Sequence, residues 1–298
     1  MELRQLEYFV TVTEEANFTR AAEKLHVAQP GVSAQIRQLE RELGQELLDR
    51  SGRTVRLTEV GAAVLPYARA ALAAVSGVRN AVDELTGLLS GHVAVGMVGS
   101  PGILNVPAVL SGFHDAYPGV AITLSEGNTD KLVEGLHSGR LDAAYLGLSA
   151  VDPPGISTRV LWEEPIVAAV LRDDELASKN SVTLEELKEH ALITLSRGSG
   201  IRACVDDASA AAGLDLEIAF EASEPDVLLR LTKRGLGVAI LPRSAIEAYR
   251  PDLESVDITP LMTGRLVLAW RAEGSPSPAA KAFLAHARTA ALRERSGR

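Results

Sequence analysis

Residues 17–44 read NFTRAAEKLHVAQPGVSAQIRQLERELG, and the fold of the N-terminal region turns on them. Asn17-Phe18 is a break. Thr19 reads as the cap of a short helix, because a side-chain oxygen there can take up a free backbone N–H. Ala21, Ala22 and Leu25 form the buried stripe of that helix. His26-Val27-Ala28-Gln29 is the turn, and Pro30 opens a second helix, where a missing N–H costs nothing. This helix is expected over Gly31 to Leu43, with Gly44 as its C-terminal cap. Val32, Ile36, Leu39 and Leu43 recur at helical spacing and face inward, while Ser33, Gln35, Arg37 and Gln38 lie outside. Two helices joined by a short turn, the second polar outside, fit helix-turn-helix geometry. Gln and Arg make paired hydrogen bonds to adenine and guanine edges, so this face can read bases. The plainer reading of Arg37 and Gln38 is a solvated helix face.

The flanks extend the motif. Leu3, Leu6, Phe9 and Val10 predict an amphipathic helix over residues 2–16. Between Leu47 and Thr58, Ser51-Gly52 turns between two short extended pieces, a hairpin wing whose Arg50, Arg53 and Arg56 point toward phosphates or a minor groove. The net charge of -9 taken alone opposes binding to a polyanion. It hides a local contrast: from Phe18 to Arg56 seven basic residues face five acidic ones. A basic strip on an acidic body is the distribution a DNA-facing patch has.

Leu3 to Gly61 resembles the DNA-binding region of LysR-type transcriptional regulators. The residues that carry the resemblance include Leu6-Glu7-Tyr8-Phe9, Asn17-Phe18-Thr19-Arg20-Ala21-Ala22, Gln29-Pro30-Gly31-Val32-Ser33, Gln35-Ile36-Arg37-Gln38-Leu39-Glu40, Leu47-Leu48-Asp49-Arg50 and Leu57-Thr58-Glu59-Val60-Gly61. Leu48 departs from it, since the family usually has Phe there. The resemblance implies double-stranded DNA as partner and places Gln29, Pro30, Ser33, Arg37 and Arg53 against it. Thr19, Arg20, Gln35 and Arg50 complete the candidate DNA-binding set.

From Thr58 onward the chain is rich in alanine and leucine. Val60, Val64, Tyr67, Ala71, Val75, Val78, Val82, Leu85 and Leu89 step by three or four, a coiled-coil-type seam. A helix over 59–90 therefore links a DNA-binding domain, 1–58, to the remainder, 91–298. Pro66 should kink it. A partner helix is the natural cover for so long a seam, which gives a homodimer or homotetramer; packing within one monomer is the alternative.

After Gly91, apolar strands alternate with helices, the mark of a parallel α/β sheet. Strands are expected over 92–98, 120–124, 143–147, 165–171, 191–195, 216–222, 237–241 and 266–270, with helices between them and a closing helix over 278–292. Gly139-Arg140-Leu141-Asp142-Ala143 and Gly235-Leu236-Gly237-Val238-Ala239-Ile240-Leu241-Pro242 resemble the LysR effector domain, which shares its fold with periplasmic solute-binding proteins. The fold class is thus α/β with an N-terminal all-α winged helix-turn-helix, a long linker helix and a two-lobed, type II periplasmic-binding-protein-like effector domain. Lobe I takes about 91–162 and 267–298, lobe II about 163–266.

Open α/β sheets bind ligands outside the carboxyl ends of their strands. Ser100 and the run Ser196-Arg197-Gly198-Ser199-Gly200 start helices at such edges, and free helix N–H groups favour an anion. Gly198 and Gly200 would let backbone approach a ligand closely. Ser100, Asn128, Thr129, Ser196, Ser199, Ile201 and Ser223 are the candidate effector residues, with a small organic anion as the expected ligand; a ligand-free helix cap is the alternative for each Ser or Thr. The six histidines show no metal-ligand spacing, so no metal is expected, nor any cofactor. Cys204 reads as a small buried side chain, with redox sensing as its alternative. No apolar run is long enough to cross a membrane and no signal peptide opens the chain, which places the protein in the cytoplasm. The leading function is a DNA-binding transcriptional regulator modulated by a small-molecule effector. A cytoplasmic sensor acting through protein partners is the alternative, and an enzyme is disfavoured because no paired acid/base constellation is present.

Overall fold

The computed structural model describes residues 1–52, 54–85, 89–99, 104–250 and 252–296. Helices α1 (Leu3–Glu15), α2 (Phe18–Lys24) and α3 (Gln29–Leu43) form the first unit. They pack around Leu6, Phe9, Val12, Ala21, Val32, Ile36 and Leu39. The cap of α2 is Asn17, not Thr19: its Oδ1 accepts the backbone N–H groups of Thr19 at 2.8 Å and Arg20 at 3.1 Å. The α2 helix begins one residue earlier than expected, so its cap does too. Pro30 lies in the first turn of α3, and Gly44 closes that helix in the left-handed region at φ 71°. Strands β1 (Leu48–Asp49) and β2 (Arg56–Leu57) pair antiparallel as the wing.

Helix α4 (Glu59–Leu85) follows, with Pro66 in its interior. Thr58 caps it, its Oγ1 accepting the Gly61 N–H at 3.0 Å. Leu65, Ala68 and Leu72 turn toward the helix-turn-helix core. Tyr67, Val75 and Val78 lie on another face and are exposed. The described part of the helix runs to Leu85, and the expected continuation to 90 passes through residues 86–88, outside the described residues.

The remainder is built on one mixed sheet. Its elements are β3 (Gly91–Met97), α5 (Val106–Ala116), β4 (Val120–Glu126), α6 (Thr129–His137), β5 (Ala143–Leu148) and β6 (Ile156–Leu171). Then come β7 (Ser181–Thr183), α7 (Leu184–Leu187), β8 (Leu192–Leu195), α8 (Gly200–Ala212), β9 (Ile218–Ala222) and α9 (Pro225–Lys233). The chain closes with β10 (Val238–Pro242), α10 (Arg243–Ile246), β11 (Leu253–Arg271) and α11 (Pro278–Ser296). Strand order is β4-β3-β5-β11-β6-β10-β8-β9, with β7 beside β11. The sequence led us to expect two separate parallel sets. The triplets β4-β3-β5 and β10-β8-β9 are indeed parallel. Two long antiparallel strands, β6 and β11, run through both and join them. Their ladder shifts register between Leu266 and Val267, opposite Trp162 and Val160.

Each half has its own core. Lobe I buries Val93, Val95, Phe113, Tyr145 and Leu268, and α11 returns to it with the Phe283 ring edge-on to Phe113 at 5.3 Å. Lobe II buries Ile166, Val167, Leu192, Ile193, Leu228 and Ile240. The first described helix of lobe I is α5, and it is capped by Asn105, whose Oδ1 accepts the Ala108 N–H. The expectation of a helix start at Ser100 falls outside the described residues. Among the described residues no helix is long and apolar enough to cross a membrane.

Candidate DNA-reading surface and interlobe cavity

Helix α3 buries Val32, Ile36, Leu39 and Glu40. Gln29, Pro30, Arg37, Gln38 and Arg41 are exposed on its other side, and Ser33 and Gln35 are partly so. Arg37 lies along the helix, its Nε donating to the Ser33 carbonyl at 3.2 Å. Among the described residues Arg37, Arg41 and Arg56 form no ion pair, whereas Arg20 and Lys24 pair with Glu15. The uncommitted positive charge of the strip thus sits on α3 and the wing.

Arg50 behaves differently from expectation. It turns inward to pair with the buried Glu40 and lies 5.3 Å above the Phe18 ring. Glu40 also accepts the backbone N–H groups of Leu47 at 3.1 Å and Leu48 at 3.3 Å. One buried carboxylate therefore fastens the wing to α3, and Arg50 completes its charge balance. Arg53 lies outside the described residues. Thr19 and Arg20 are exposed at the start of α2.

The second site is a cavity of about 400 Å³ between the lobes, within the usual range for small-molecule sites. Lobe I supplies Val98, Gly99, Glu126, Asn128 and Lys131 from the ends of β3 and β4 and the start of α6. Lobe II supplies Leu195, Ser196, Ser199, Ile201, Ser223 and Glu224 from the ends of β8 and β9. The crossing strands give it Trp162, Glu164, Arg265 and Leu266. Asn128, Ser196, Ser199, Ile201 and Ser223 from the sequence-predicted set meet here.

Thr129 does not join them: it is buried, and its hydroxyl donates to the Gly147 carbonyl at 2.9 Å. Ser100 lies outside the described residues. Asn128 and Ser199 are helix caps as well as lining groups, accepting the N–H groups of Lys131 and Arg202. Gly200 serves the lobes and not a ligand: a Cβ there would stand 2.0 Å from the Gly147 carbonyl oxygen. A Cβ on Gly198 would likewise press on the Asn128 and Asp130 side chains of α6. The two helix starts abut across the lobes, and the Asp130 N–H donates to the Gly198 carbonyl at 3.2 Å.

Sequence reasoning missed the charged lining. Glu126 ends β4 and Glu224 follows β9, so the strand-end rule that flagged Ser196 reaches both. Trp162 and Glu164 escaped because the strand was expected to start at Pro165, whereas β6 begins at Ile156. Glu164 holds the start of α10, accepting the Ser244 N–H and Oγ–H, each at 2.7 Å. Arg265 is committed to the Ser149 carbonyl at 2.8 Å and the Asp152 carboxylate at 3.0 Å. Beside the cavity wall, burial pushes the Cys204 thiol up to about 11, and its Sγ points to the Thr263 carbonyl.

A winged helix-turn-helix carried by a long helix on a two-lobed domain with an interlobe cavity defines a DNA-binding regulator with a ligand-sensing domain. Residues 3–62 match the family described as bacterial regulatory helix-turn-helix protein, lysR family, and residues 86–292 match the LysR substrate binding domain. The hydrogen peroxide-inducible genes activator of Dickeya chrysanthemi is 32% identical over 250 residues, 84% of this chain and 82% of that protein. A full-length OxyR variant from Pseudomonas aeruginosa superposes with a TM-score of 0.78 at 29% identity, covering 98% of this chain and 95% of that one. Full-length CbnR in complex with its target DNA superposes at 0.60 with 28% identity, covering 97% and 100%. The chain belongs to the LysR family of transcriptional regulators.

Proposed function

We propose that this regulator reads its operator with the outer face of α3, through Gln29, Ser33, Gln35 and Arg37, with Pro30 setting the entry of that helix. Thr19, Arg20 and the wing contribute phosphate contacts, and an effector in the interlobe cavity modulates the binding. The observation that carries this is the exposed polar face of α3, with Arg37 and Arg41 free of acidic partners among the described residues. The division is 1–58 for DNA, 59–90 for linkage and 91–298 for effector, and the protein works in the cytoplasm, where its DNA is. Tyr67, Val75 and Val78 give α4 an apolar face suited to a second copy, so that two recognition helices address two half-sites.

One relative is named for hydrogen peroxide induction, and this chain is poorly equipped for cysteine-based peroxide sensing. It has a single cysteine, so no disulfide forms within the chain. That thiol is buried, and with its pKa near 11 about one in ten thousand is thiolate at neutral pH. A small-molecule ligand in the cavity is the better-supported signal.

Fluorescence anisotropy with the DNA upstream of the protein's own gene tests the reading. The expected result is salt-sensitive binding whose sequence preference disappears in Arg37→Ala and Gln29→Ala. If both variants bind the site unchanged, α3 is not the reading element.

A further inference from the structure

The helix starts in the sequence pointed to an anionic effector, and the cavity's side chains point the other way. Glu126, Glu164 and Glu224 line it, against Lys131 and Arg265. Arg265 is already paired with Asp152, which lies outside the lining. Lys131 is therefore the one lining cation with no acidic partner among the described residues. The side-chain carboxylates of Glu126 and Glu224 have no hydrogen-bond or ion-pair partner among the described residues, and Glu224 reaches across the cleft, its carboxylate oxygen 2.6 Å from where a Gly99 Cβ would stand. Glu164 is half-buried and already accepts two hydrogen bonds from Ser244. These bonds fix the carboxylate in the wall of the cavity.

The positive end of α8 is partly answered by its own cap, since Ser199 Oγ accepts the Arg202 N–H at 3.2 Å. The half charge of a helix terminus does not balance the carboxylates around it. The walls between the charges are apolar: Trp162, Leu195, Ile201, Pro225 and Leu266. Tryptophan is also the aromatic side chain that best attracts a cation.

We infer that the interlobe cavity takes a small molecule with an apolar body and a protonated amine, its positive nitrogen set among Glu126, Glu164 and Glu224. This rests on the reading of the cavity as the effector site. A carboxylate brought into the same space would meet like charges on both lobes, and that repulsion selects against it. An amine also satisfies carboxylates from the two lobes at once, which favours any arrangement that brings those carboxylates together, through differential affinity.

The test is a thermal-shift series on the full-length protein with matched pairs that differ only in the charged group. Phenethylamine is set against 3-phenylpropionate, and isopentylamine against 4-methylpentanoate. Amines are expected to raise the melting temperature and the carboxylates to leave it unchanged, because only a ligand of the folded form stabilises it. The double variant Glu164→Gln, Glu224→Gln should weaken the amine response by roughly tenfold or more in half-saturating concentration. Stabilisation by the carboxylates alone, by neither group, or by amines equally in the double variant overturns the inference. Ser223→Trp separates this from failure of the site itself. A response to either group that survives filling the cavity at the exposed Ser223 removes the cavity as the effector site.

Discussion

Glu40 shows how much of the DNA-binding unit hangs on one side chain. It is 8% exposed, and it accepts two backbone N–H groups and pairs with Arg50. Glu40→Ala leaves those donors without partners at about 1–3 kcal/mol each. We expect chemical denaturation followed in the helix-turn-helix to show a loss of about 3 kcal/mol or more. Cys204 makes the opposite kind of prediction. With its thiol pushed up to about 11 and buried, it should resist iodoacetamide at pH 8 in the folded protein and react on unfolding. Thiolate appears only as pH climbs toward that value, so alkylation of the native protein should stay slow at any pH below about 10. At this scale the sequence was partly legible. Gly44 as a cap followed from residue type. Asn17 and Thr19 are both good caps, and only the true start of α2 chooses between them. The inward turn of Arg50 was hidden because Glu40 lies ten residues away in sequence, across the α3–wing junction.

Among the elements, helices were read more reliably than the two long strands. Periodic apolar positions marked α3 and α4 because each buries one face. The β6 and β11 strands leave one lobe's core and enter the other's, so their burial pattern changes part-way and the first halves escaped notice. That omission also hid Trp162 and Glu164, and with them the cavity's charge. The contact of β5 with α8 at Gly147 and Gly200 makes a sharp prediction. Gly200→Val would set a branched side chain against a backbone oxygen that already stands 2.0 Å from an ideal Cβ. It should force the lobes apart and lower stability by more than about 2 kcal/mol, read by thermal unfolding together with small-angle scattering. On α4, Tyr67→Asp with Val78→Asp places charge on the exposed apolar face. Ultracentrifugation should then show monomers, and operator affinity should fall roughly a hundredfold as the second half-site is lost. Unchanged sedimentation would place the subunit interface elsewhere.

Across the whole molecule, the domains meet at Arg69 of α4. Its side chain is 8% exposed, and its guanidinium donates to the Ser138 carbonyl at the end of α6 at 2.9 Å and pairs with Glu14 of α1 at 3.0 Å. The start of α6 lines the interlobe cavity through Asn128 and Lys131. One helix thus runs from cavity to linker, and one arginine joins it to the DNA-binding unit. Arg69→Met should leave operator binding in place while reducing the change in affinity that an effector produces, measured as the ratio of operator dissociation constants with and without ligand. An unchanged ratio would mean that the signal travels elsewhere. The overall charge of -9 bears on the proposed docking at longer range: an acidic body repels DNA, so the proposed reading makes docking depend on the strip around α3.

That dependence can be mapped directly by tethering an iron–EDTA cleavage reagent to Ser33→Cys in a Cys204→Ser background and bringing the protein to its operator. The account predicts two clusters of cleavage, one in the major groove of each half-site, separated by a whole number of helical turns. Absence of cleavage from a protein that still binds, or cuts spread along the duplex without register, would contradict it.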